Sequence, residues 1–148
     1  AEIAAADGKG GLRATALTDT RMKTGRAVLD RFGLSQHADA RVGTLPQGVK
    51  KQLDIAMAAI DDPALILLDE PTSGVSVDEK IEMMERVIEP LKADDATLLF
   101  IEHDMDIVTR FAERTVAFYE GKILSDGPTA EVLADTEVRR YVIGGVHA

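Results

Sequence analysis

Asp69 and Glu70 are the residues of this 148-residue chain whose types and placement best suit chemistry. They close the aliphatic run Ala64-Leu65-Ile66-Leu67-Leu68, and Pro71 follows them. A short unbroken aliphatic run is the pattern of a strand buried on both faces of a parallel sheet, and a proline stops it. Ligands of open α/β sheets bind outside the carboxyl ends of the strands, where this spacing puts both carboxylates. The bland alternative is a solvated acidic turn. The surrounding residues weigh against it.

His103 is the third candidate. It follows a second apolar run, Thr97-Leu98-Leu99-Phe100-Ile101-Glu102. Between the runs, Ser76 and Glu79 have capping-box spacing and open a helix to about Lys92, with Ile81, Met84, Ile88 and Leu91 inward. Pro90 should fray or bend its last turn, and Asp94-Asp95 turns the chain. Strand, helix and strand make one right-handed crossover, so the two strands run parallel and end on the same side. His103 is thus expected at the same edge as Asp69 and Glu70.

The elements upstream supply a second kind of site. A helix is expected from about Asp19 to Phe32, with Met22, Ala27, Val28 and Leu29 on one face and Gly33 ending it. Leu34 to Val42 reads as a polar connection, and its His37 as a solvated side chain. Thr44-Leu45-Pro46-Gln47-Gly48 begins the next helix. Thr44 and Gln47 have capping-box spacing, and Pro46 is tolerable in a first turn. Val49, Leu53, Ala56, Met57 and Ile60 form its apolar stripe, and Asp61-Asp62-Pro63 breaks it. The bare amides at its start, with a glycine allowing close approach, can receive a phosphate. The Gly8-Lys9-Gly10-Gly11 segment lacks the spacing of a phosphate loop and reads as a flexible loop.

Beyond His103, a short helix from about Met105 to Ala112 is capped by Asp104. Thr115–Tyr119 and Lys122–Ser125 are paired strands turning at Glu120-Gly121. Two small helices follow, about Ala130–Ala134 and Glu137–Val142, before Gly144-Gly145. Hydrophobic residues make up 45% and charged residues 29%, as in a folded globular chain. The net charge of -9 argues against nucleic-acid binding as the main task. With no cysteine, a disulfide scaffold and a thiolate metal site are excluded. No apolar run of about eighteen residues and no leader pattern is present, so a spanning or secreted protein is not expected.

Taken together, these residues resemble the nucleotide-binding subunit of ABC transporters. Leu65 to Glu70 are similar to its Walker B strand and catalytic glutamate, His103 to its switch histidine, and Ser73 to Ser76 to its D-loop. Leu45 to Val49, followed by Lys50-Lys51, stands where the signature helix begins. Tyr119-Glu120-Gly121-Lys122-Ile123, Gly127-Pro128 and Glu131-Val132-Leu133 are similar to its C-terminal end. The Thr-Leu-Pro-Gln-Gly start of the signature helix and the Ile-Gly-Gly close look most like the branched-chain amino acid importer branch.

The resemblance implies an α/β fold: a partial RecA-like P-loop NTPase core, with parallel strands and flanking helices, plus part of the helical subdomain. Residues 1–61 would be helical subdomain and 62–148 the C-terminal half of the core. It implies ATP and Mg²⁺, with Asp69 holding the metal, Glu70 activating water and His103 touching the γ-phosphate. Leu45, Pro46, Gln47 and Gly48, with Ser73, Gly74 and Ser76, would face nucleotide at the contact with a second nucleotide-binding subunit. Transmembrane permease subunits would be the other partners, placing the protein in the cytoplasm on the inner face of the cell membrane. Two residues depart from the family pattern. Pro46 stands in place of the signature serine and Ser76 in place of the D-loop aspartate. No Walker A loop or glutamine loop occurs in these residues, so the chain is expected to be a C-terminal piece that binds ATP poorly alone. The strand missing from the middle of the sheet would then leave an unpaired edge, filled by swapping, pairing with another copy or rearrangement. The contrasting expectation is a catalytically silent module that docks on a permease or another protein. An ABC ATPase of DNA repair or translation is disfavoured by the acidic balance and the compact helical region.

Overall fold

The structure is a computed structural model and describes residues 19–93 and 96–144. The Gly8–Gly11 loop, the Asp94-Asp95 turn and Gly145 lie outside the described residues. The chain divides into two compact units, one ending at Ile101 and one beginning at Glu102. The boundary expected between residues 61 and 62 falls inside the first.

In the first unit, α1 (Asp19–Arg31) ends in a Schellman motif. Gly33 takes φ +65°, its amide donates to the Asp30 carbonyl at 3.0 Å, and Leu34 N–H donates to the Leu29 carbonyl at 2.7 Å. The buried stripe of α1 is Gly25, Val28 and Leu29, continued by Phe32 past the helix end. Met22 and Ala27 fall outside it and are exposed, contrary to the expected face. Leu34 is fully buried, so the connection that follows is anchored by an apolar residue rather than polar throughout.

The next helix, α2 (Gln47–Ala58), starts later than expected. Leu45 precedes a proline, which disfavours the helical region, and it is extended at φ -72°, ψ 145°. Thr44 therefore closes a 3-10 turn, Val42–Thr44, and its hydroxyl donates to the Arg41 carbonyl at 2.8 Å. No Thr44–Gln47 capping box forms; Pro46 occupies the N-cap without a side-chain bond. The buried side of α2 is Gly48, Gln52, Leu53, Ile55 and Ala56, and Met57 points outward. Gln52, a buried polar residue, donates from Nε2 to the Phe32 carbonyl, tying α2 to the end of α1.

After α2 come β1 (Leu65–Asp69), α3 (Val77–Ala93) and β2 (Thr97–Ile101). The strands pair in parallel from Leu65 opposite Thr97 to Asp69 opposite Ile101, as the crossover requires. α3 begins as expected after Ser76, though Ser76 Oγ bonds the Glu79 carboxylate at 2.8 Å rather than a backbone amide. Its buried residues are Met83, Met84, Val87, Ile88 and Leu91, while Ile81 is only partly covered. Pro90 does not end the helix, which continues to Ala93.

Phe32, Leu34, Leu53, Ala56, Ile66 and Val87 belong to one core, so α1, α2 and α3 share it with β1. That core covers one face of the sheet. Ile66 is 4% exposed, whereas Leu67 and Ile101 on the other face are 66% and 65% exposed, with Leu65 and Leu99 beside them. The expectation of strands buried on both faces is thus corrected. Among the described residues of this unit, the helices supply cover for one side only.

In the second unit, Asp104 caps α4 (Met105–Phe111) by accepting from Asp106 N–H at 3.1 Å. β3 (Arg114–Tyr119) and β4 (Lys122–Pro128) form an antiparallel hairpin. Glu120 and Gly121 turn it with φ +48° and +76°, the pair of positive values a two-residue hairpin turn favours. α5 (Thr129–Ala134), α6 (Thr136–Val138) and a π turn, Arg139–Ile143, complete the unit. Ala117, Val132 and Val138 form its core. The described strands thus make two separate two-stranded sheets, β1 with β2 and β3 with β4. No helix among the described residues is long and apolar enough to cross a membrane.

Candidate functional site

The aliphatic run places Asp69 as the last residue of β1 and Glu70 as the first beyond it. Both carboxylates are exposed. Glu70 carries φ +45°, a left-handed conformation that is uncommon for a residue with a side chain and recurs at functional turns. Its backbone is bonded on both sides. The Glu70 amide donates to the Ile101 carbonyl at 3.0 Å, and the Glu70 carbonyl accepts Ser73 N–H at 3.1 Å. Pro71 and Thr72 then turn into the unit and are buried, and Val75 N–H donates to the Thr72 carbonyl at 3.1 Å.

The start of α2 packs on this same turn. A methyl group built on Gly74 (φ +76°) would lie 3.6 Å from Gln47 Cγ, and one on Gly48 would meet Val75 Cγ1 at 3.4 Å. Lys51, one turn along α2 from Gln47, donates from Nζ to the Glu70 carbonyl at 3.4 Å. Gln47, Gly48, Glu70, Ser73 and Gly74 are therefore neighbours across one short surface. Within that group Gln47, Ser73 and Gly74 are exposed, as is Pro46 beside them. Leu45 differs: its side chain belongs to the core, and its amide donates to the Val42 carbonyl at 3.2 Å. Ser76 is engaged with Glu79 at the start of α3.

His103 lies in the second unit, two residues past the end of β2 and directly before Asp104. Its ring is exposed. Lys51 stands in the sequence only as a residue following the start of the signature helix, with no role attached. The available signal was its spacing of four from Gln47, which puts the two on one side of the helix. A cavity of ≈330 Å³ lined by residues including Arg26, Asp30 and Ser35 contains none of these groups.

A metal fits this site in a limited way. Asp69 offers the oxygen donor a hard cation takes, but no group of three or more potential metal ligands occurs among the described residues. An ion here would have to complete its shell with water and with oxygens of a ligand, which is how Mg²⁺ binds beside phosphates.

The sequence matches the ABC transporter family over residues 11–73. It is 32% identical over 116 residues to the high-affinity branched-chain amino acid transport ATP-binding protein LivG of Salmonella typhimurium, covering 78% of this chain and 46% of that protein. It is 33% identical over 114 residues to the phosphonates import ATP-binding protein PhnC 1 of Synechococcus sp., covering 77% and 43%. Among solved structures, the ADP conformation of MJ1267, an ATP-binding cassette of an ABC transporter, superposes with a TM-score of 0.77. Its identity is 29%, over 89% of this chain and 54% of that one. The chain spans about half the length of the curated relatives it matches. Sequence and fold together relate this chain to the ATP-binding domain of ABC transporters.

Proposed function

We propose that the protein is the ATP-hydrolysing subunit of an ABC importer, with Glu70 as the base that activates water. The observation that carries this reading is the Asp69–Glu70 pair at the carboxyl end of a parallel strand, with Glu70 held in a left-handed turn. Asp69 would hold Mg²⁺, which when bound neutralises charge on phosphate oxygens. Glu70 orients a water and accepts its proton as that water attacks the γ-phosphorus. His103 would take the family's switch-histidine role, donating to the γ-phosphate, on the strength of its resemblance alone. Gln47, Gly48 and the free amides of α2 contact the triphosphate held by a second nucleotide-binding subunit. Ser73, Gly74 and Ser76 line the same contact. With Pro46 in the serine position, amides and Gln47 carry the phosphate contact without a hydroxyl.

The transported solute in this reading is a branched-chain amino acid, supported by the likeness to LivG. PhnC 1, a phosphonate import protein by name, is equally similar, so phosphonate is the solute to test against it. A transmembrane permease is the remaining partner, with the ATPase on the cytoplasmic face of the membrane.

Colorimetric phosphate release by the full-length protein tests the reading. Glu70→Gln is expected to lower the rate about 100-fold or more, while nucleotide binding persists. No phosphate release by either form would leave a silent docking module as the better account. Uptake of labelled leucine against labelled phosphonate then decides the solute.

A further inference from the structure

We propose that Lys51 is a positioning residue for Glu70: its ammonium, on the Glu70 carbonyl, fastens the strained turn after β1 to helix α2. The inference rests on the reading of Glu70 as the reactive carboxylate, but its physical content does not require nucleotide.

Among the described residues, the start of α2 lies beside this turn and Lys51 bonds it. Gln47 lies beside Gly74 and Val75 beside Gly48, each with room for a methyl that the glycine lacks, at 3.6 and 3.4 Å. Lys51 Nζ to the Glu70 carbonyl, at 3.4 Å, is a polar contact that reaches the peptide of Glu70 itself. A carbonyl has two lone pairs. Ser73 N–H takes one at 3.1 Å, closing the turn from within, and Lys51 takes the other from outside. A hydrogen bond from a charged donor is stronger than a neutral one.

That second bond matters because of the conformation it acts on. A non-glycine residue at φ +45° persists only when its surroundings over-determine it. The Ile101 carbonyl holds the amide side of Glu70, and Ser73 with Lys51 holds the carbonyl side. The direction of the Glu70 side chain follows from the torsions of this peptide. Lys51 therefore links that direction to the position of α2. A shift of the helix start on meeting a phosphate would be passed to Glu70 through one side chain.

Amide hydrogen exchange of Ser73, followed by NMR on the chain without nucleotide, tests the link. Lys51→Met keeps the length and removes the donor, and it is expected to speed Ser73 exchange by roughly three- to tenfold. Lys51→Arg should restore the wild-type rate, and Lys50→Met, one residue along the helix, should leave it unchanged. The Leu53 amide, in the buried part of α2, reports whether the helix as a whole has loosened. Unchanged Ser73 exchange in Lys51→Met overturns the proposal. So does failure of arginine to restore it, an equal effect of Lys50→Met, or a matching acceleration at Leu53. Because no ATP is present, loss of this link and loss of the ATPase reading are separate results.

Discussion

The Glu70 amide donates to the Ile101 carbonyl at 3.0 Å, one step beyond the last paired residues of β1 and β2. This bond ends both strands at the same level and holds Glu70 where the chain must turn. The left-handed φ of Glu70 is the local consequence: the chain leaves the sheet abruptly, with Pro71 already turned inward.

The strain at Glu70 predicts an order of stabilities. Glu70→Val places a β-branched side chain at positive φ and should cost about 1–3 kcal/mol. Glu70→Gly removes the steric penalty but adds freedom to the unfolded chain, so its net change should stay within about 1 kcal/mol. Urea unfolding of the two variants gives the comparison. A valine variant as stable as the glycine variant would show that the turn is not strained.

The one-sided sheet predicts a contrast between adjacent residues of β1. Ile66→Ala opens space in the shared core and should lower stability by about 2–4 kcal/mol. Leu67→Ala, on the exposed face, should change it by less than about 0.5 kcal/mol. Denaturant midpoints of the two single variants measure this directly. Similar losses would mean that the chain in solution covers both faces.

The β3–β4 hairpin carries a pH-dependent pair. Arg114 bonds Asp126 through Nε to Oδ1 at 2.9 Å and Nη2 to Oδ2 at 3.0 Å. The Arg114 hydrogen bond holds the Asp126 carboxyl below its ordinary value, opposed by desolvation and helped to a lesser degree by the Arg114 charge. A lowered folded value means stability that is present above the unfolded value, about 3.9, and is lost as pH falls through the folded one. The pair is solvent-exposed, so the effect on stability should be small. Carbon-detected NMR titration should show Asp126 below the usual aspartate range, and Arg114→Gln should return it there.

Much of this architecture was legible residue by residue. Gly33 ended α1 because only a left-handed residue closes a Schellman motif without a Cβ penalty, and Leu34 completed it. The Ser76 start of α3, the Asp104 cap and the Glu120-Gly121 turn were visible for the same kind of reason: each is decided within four residues of chain. The start of α2 was misjudged because two local rules competed there. Thr44 and Gln47 have capping spacing, but Pro46 drives Leu45 out of the helical region, and the steric rule prevails.

What the sequence by itself determined is the set of local conformations and the order of the chemical groups: strand ending in Asp69, helix opening after Ser76, and the parallel crossover between β1 and β2. Only the tertiary structure decided which faces are covered and which turns meet. An aliphatic run reads the same whether one side of its strand is packed or both, because burial depends on the elements that come to lie against it. The meeting of Lys51 with the Glu70 carbonyl belongs to that second class, since it joins residues nineteen apart through the packing of a helix on a turn.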